Sequence, residues 1–192
     1  MKFIENPYIC ITIIFVLFLI ITFVFKIDYM DIGRIVKNYF SNFKRTDGKT
    51  PIMITLLYFI MPLIMAWCCV NIKIIDGNII SNITVMLSII TAVLFTLLPM
   101  LLDIGYKMED KLNENKSKLR LVKKLISETV DSIMFEGLLS VILLIISFML
   151  SFPGMKNKII SCVVYYLLFI FLLNLMIVLK RFYVLFKESL LN

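Results

Sequence analysis

A single carboxylate stands inside the apolar runs of this chain: Glu136, three residues past Ile133 in the stretch IMFEGLLSVILLIISFMLSF. Asn174 is the one carboxamide deep in such a run, five residues before Leu179. A charged group in hydrocarbon costs about 3 kcal/mol and must snorkel to the interface, take up a proton or find a partner. If the two runs meet the same membrane face, a helical rise of about 1.5 Å per residue puts Glu136 about 4.5 Å deep and Asn174 about 7.5 Å deep. The matching depths predict a polar clasp between Glu136 and Asn174, with Arg181 beyond it.

Other chemistry is sparse. The chain has no His, the commonest general base and metal ligand. No Ser or Cys has a base beside it at a revealing spacing, so catalysis would rest on Glu136 or Asp103 alone, and the chain reads as non-enzymatic, without cofactor. Cys10, Cys68, Cys69 and Cys162 lie near the ends of apolar runs and suit small apolar filler. Without His or a CxxC pair they do not form a zinc site. Gly48-Lys49-Thr50 lacks the upstream glycine of a phosphate loop.

The elements that carry Glu136 and Asn174 are apolar and long. Runs at about 9–25, 51–72, 79–102, 133–152 and 159–179 hold over half of the 192 residues. Each is of spanning length, which is about 17–25 residues for a helix. The composition, 61% hydrophobic and 17% charged with mean hydropathy +0.98, excludes a soluble globule, for which about 45–50% and about 25% are usual. The fold class expected is all-α: a polytopic transmembrane helical bundle, one domain of four or five spans with a cytoplasmic helical extension. Pro62 and Pro99 are expected to bend the second and third runs. The first run is longer than a signal-peptide core and has no small-residue cleavage site after it, so it reads as a retained helix.

Sixteen of the 20 Lys and Arg residues fall in the alternating segments 26–50, 103–132 and 180–192. The positive-inside bias puts those segments in the cytoplasm, with the N-terminus outside if all five runs span and the C-terminus inside. The net charge of +7 therefore belongs to the inner membrane face, and no nucleic-acid contact is expected.

Two cytoplasmic segments, 28–45 and 103–132, have helical periodicity. In the first, Tyr29, Ile32, Ile35, Val36, Tyr39, Phe40 and Phe43 form one face. Arg34, Lys37, Lys44 and Arg45 line the other, the pattern of an interfacial helix that rests its aromatic face on lipid and offers its basic face to anionic headgroups. In the second, Leu119, Val122, Ile126, Thr129 and Ile133 repeat at three and four residues and run into the fourth span without a breaker. An apolar seam standing off the membrane needs cover. The candidates are the upstream stretch with Met108 and Leu112, a second copy of the chain, or a soluble partner. Leu119, Val122, Lys123, Lys124 and Ile126 are the expected docking residues, with Arg120 on the rim.

The uninterrupted SKLRLVKKLISETVDSIMFEGLLS and the closing LLNLMIVLKRFYVLF, within a compact multi-span layout with basic inner loops, resemble the small membrane subunits of bacterial anti-phage systems, the KwaA family of Kiwa. The resemblance implies an oligomeric sensor and anchor in the bacterial inner membrane. It also implies a cytoplasmic DNA-binding effector, KwaB-like, as the docked partner, together with homo-oligomerisation and contact with the lipid bilayer. A pore-forming or membrane-disrupting effector and an accessory transporter subunit are the alternatives. The best polar stripe for a pore, Ser81, Thr84, Ser88 and Thr91, is neutral and stops before Leu98.

Overall fold

A computed structural model describes residues 13, 32–42, 56–111, 116–152 and 157–191. Among them every regular element is helical: α1 (Ile32–Ser41), a π-helical turn (Leu56–Ile60), α2 (Met61–Ile72), α3 (Gly77–Lys111), α4 (Lys116–Leu150) and α5 (Lys158–Leu191). Three helices, α3, α4 and α5, are long and apolar enough to cross a membrane, and residues 56–72 form a shorter apolar helix. Apart from Ile13, the first apolar run lies outside the described residues, as do Lys44 and Arg45.

Local chemistry sets the boundaries. Pro62 sits in the first turn of α2, where its missing N–H is harmless within α2 but leaves the Tyr58 carbonyl without its i+4 donor. The preceding turn widens to the π form. The expected bend at Pro62 is thus a change of helix type one turn earlier. Pro99, by contrast, is carried within the single helix α3. Helix α3 starts where Asp76 caps it: Asp76 Oδ1 accepts from Ile79 N at 2.9 Å and Asp76 O from Ile80 N at 3.0 Å. Asp76 also pairs with Lys73 at 2.9 Å and holds that exposed ammonium above its ordinary range. The 73–76 link is tied to α5, where Ser161 Oγ accepts from Ile75 N at 3.4 Å and Tyr165 Oη donates to Lys73 O at 3.3 Å.

Helix α4 is the axis of the bundle. Half of its most apolar stretch is buried, against 17% for α3 and 28% for α5. It packs on α3 and α5, α2 lies along α5, and α1 lies on α4. One core cluster gathers Leu87, Leu139, Leu143, Val164 and Phe171, and a second gathers Leu101, Ile104, Met108, Val122, Ile133, Val178 and Leu185. Outward faces stay apolar, with Ile64, Trp67, Ile89, Phe148 and Met176 all exposed. Exposed apolar helices of this length fit contact with a lipid bilayer.

The second cluster answers the question of cover. Met108 from the upstream stretch does pack on the seam, and so do Leu101, Ile104 and, unanticipated, Leu185 near the end of α5. Helix α5 runs to Leu191 rather than stopping at residue 179. Val122 is 7% exposed, and Leu119 and Ile126 are partly buried in the same cluster. The apolar residues expected to dock a partner are therefore occupied within the chain, because α3 and α5 continue past their apolar stretches beside α4. Lys123 is tied to Glu109 at 2.6 Å across α3 and α4. Lys124 remains outward, with a loose approach to Glu128 at 3.9 Å.

Candidate functional site

Four elements meet around Glu136 and Asn174. Helices α4 and α5 bring the two side chains together, and both are fully buried. Asn174 Nδ2 donates to Glu136 Oε2 and to the Ser132 carbonyl at 3.4 Å. Its carbonyl oxygen accepts from Tyr39 Oη of α1 at 2.6 Å. Tyr39 has one hydroxyl proton and spends it on Asn174, so the 2.8 Å contact with Tyr58 Oη of the π turn is donated by Tyr58. The result is a directed chain from Tyr58 to Tyr39, to Asn174, to the Glu136 carboxyl. Glu136 Oε1 is buried with no hydrogen-bond partner among the described residues.

Complete burial removes snorkelling as the answer for Glu136. The sequence also places Arg181 one step too near: Arg181 Nη1 donates to Glu128 O at 2.7 Å and to Ser132 Oγ at 3.0 Å, and Nη2 lies 3.7 Å from Glu128 Oε2. Ser132 joins the two layers, its carbonyl serving Asn174 and its hydroxyl serving Arg181. A third contact, Asn42 Nδ2 to Asp131 Oδ2 at 3.3 Å, fastens the end of α1 to α4.

The aromatic face of α1 packs on protein, not lipid. Tyr39 is 1% exposed, and its ring lies flat on Phe135 with centroids 4.0 Å apart and planes within 2°. Phe40 meets Phe135 edge-on at 5.8 Å and stacks on Phe59 at 5.9 Å with planes 24° apart. Aromatic pairs of this kind add about 0.5–1.5 kcal/mol beyond their area. The expectation that this face rests on the bilayer fails because α4 presents Phe135 and the polar pair beneath it. Arg34 and Lys37 lie on the other side of α1 and are exposed.

Sequence reasoning missed Tyr39 and Tyr58 as members of this site, and it missed a stripe on α4. Thr129, Ser132, Glu136, Ser140 and Ser147 are all buried, at spacings of 3, 4, 4 and 7. That small-and-polar periodicity lay in plain view. Thr129, Ser132 and Ser140 return their hydroxyls to carbonyls of their own helix, whereas the Ser147 hydroxyl is buried with no hydrogen-bond partner among the described residues and Glu136 is the one ionisable group of the stripe, met from outside α4 by Asn174. The outer stripe of α3 likewise bonds to its own helix at Ser81 and Ser88, which are exposed and bonded to Gly77 and Thr84 carbonyls. Cys68, Cys69 and Cys162 are free thiols, and no group of His, Cys, Asp or Glu that could hold a metal occurs among the described residues.

No family model, curated protein or solved structure matches the chain.

Proposed function

We propose that this chain is a non-catalytic sensor and anchor subunit of a bacterial anti-phage system, oligomeric in the inner membrane, with the basic end of the bundle in the cytoplasm. What supports the sensor part is the way Tyr39 latches an amphipathic helix onto the Glu136–Asn174 pair. Helix α1 carries Arg34 and Lys37 on its outward face and its latch residue on the other. A disturbance of the inner leaflet that pulls on the basic face loads one hydrogen-bond chain, and that chain ends on α4 and α5. Both helices continue away from their apolar stretches, so a small rotation about the polar pair reaches the basic end. The effector, KwaB-like by the family resemblance, is assigned to the outward side of α4, where Arg120, Leu121 and Lys124 are exposed.

The test is phage challenge of a bacterial host expressing the chain with its genomic neighbour. The reading expects fewer plaques with both genes than with either alone, and loss of protection in Arg120→Glu with Lys124→Glu. Equal plaque numbers overturn it. Protection by the chain without the neighbour, accompanied by ion leak across liposomes, would replace it with the pore reading.

A further inference from the structure

Beside the latch lies a cleft of about 470 Å³ whose described lining includes Leu57, Tyr58, Ile177, Lys180, Arg181 and Val184. It sits where the apolar stretch of α5 gives way to Lys180 and Arg181, the level of the inner headgroups under the proposed orientation. Its lining changes along α5: Ile177 belongs to the apolar stretch, Lys180 and Arg181 follow it, and Val184 stands one turn further on, with Leu57 of the facing turn adding a second apolar side chain. Lys180 is exposed and forms no ion pair among the described residues. The wall at Leu57 and Tyr58 belongs to the π-helical turn, an irregularity common at binding sites.

We infer that this cleft holds one anionic phospholipid, its phosphate against Lys180, beside an Arg181 already engaged with Glu128 and Ser132, its acyl chain along Leu57 and Ile177 toward the bilayer and its headgroup toward Val184. Charge complementarity carries the assignment: basic pockets between helices on the cytoplasmic side take anionic headgroups, and the apolar wall suits a chain rather than a free anion. Tyr58 and Arg181 belong both to the cleft and to the polar layers around Asn174, so the bound lipid touches the latch from below. The site does not depend on the sensor reading, because a chain with no role in defence would still bind this lipid.

Native mass spectrometry of the full chain released from dodecyl maltoside micelles tests the inference, with dioleoyl-phosphatidylglycerol, dioleoyl-phosphatidylcholine, inorganic phosphate and glycerol 3-phosphate as separate additions. The expected result is one retained phosphatidylglycerol and no comparable retention of phosphatidylcholine. Lys180→Gln should weaken retention about fivefold, the effect of one basic contact at an anionic surface, and Val184→Trp should block the cleft. Thermal melting in the same micelles checks that both variants are folded and should show stabilisation by phosphatidylglycerol that is greatest in the unsubstituted chain, smaller in Lys180→Gln and absent in Val184→Trp. Equal retention of the two lipids, unchanged phosphatidylglycerol binding in folded Lys180→Gln, or equal stabilisation by phosphate or glycerol 3-phosphate alone would each overturn it.

Discussion

Tyr39→Phe removes one hydroxyl and leaves the ring on Phe135, so it isolates the hydrogen bond from the stack. The lost bond leaves the Asn174 carbonyl and the Tyr58 hydroxyl short of a partner, and the expected cost is about 1–3 kcal/mol of thermal stability in detergent. Tyr39→Leu, which also loses the stack, should cost more. Glu136 and Asn174 call for a double-mutant cycle with Glu136→Gln and Asn174→Leu. Coupling above about 0.5 kcal/mol is expected, since the pair is in direct contact, although membrane hydrogen bonds average only about 0.6 kcal/mol. Additive effects in that cycle would reduce the contact to coincidence of position. The Glu136–Asn174 encounter was legible from position along the runs alone, because equal distances from the neighbouring ends of two apolar helices set side chains level with each other. The tyrosines were not: Tyr39 lies 135 residues from Asn174, and nothing in the local periodicity of α1 distinguishes a ring that rests on lipid from one that enters a bundle.

At the scale of elements, the same logic explains what α4 disclosed and what it hid. Its apolar repeat from Leu119 to Ile133 runs on without a breaker, and the observed helix from Lys116 to Leu150 is continuous. Which surface covers the repeat is a tertiary matter, decided by the lengths of α3 and α5. Leu119→Asp with Ile126→Asp should therefore act on the fold, lowering the melting temperature by placing carboxylates in a closed seam. Loss of partner binding with unchanged stability would contradict the intrachain packing. Gly137 makes a second test of close approach, since a Cβ there would stand 3.1 Å from the Phe95 ring. Gly137→Val should cost about 1–3 kcal/mol through overpacking, and Phe95→Ala in the same chain should recover part of that loss. The short link between α2 and α3 was hidden for another reason: Asp76 reads as a loop acid until its cap on Ile79 and its pair with Lys73 are seen together.

At the scale of the whole molecule, charge asymmetry and the buried latch make separate claims. The distribution of Lys and Arg predicts sidedness. In a chain freed of its native thiols, cysteines at Lys49 and Lys111 should be protected from an impermeant thiol reagent in intact cells, and one at Asn157 should label; labelling at Lys111 alone would reverse the orientation. The central claim is that α1 is held on the bundle by Tyr39 through Asn174 and Glu136, and hydrogen exchange along Ile32–Ser41 in nanodiscs containing phosphatidylglycerol tests it most directly. Slow exchange is expected in the unsubstituted chain, with marked acceleration at these amides in Asn174→Leu while Leu139–Leu143 of α4 stays protected. Equal exchange along α1 in the two chains would show that the bilayer, rather than the polar pair, holds the helix in place.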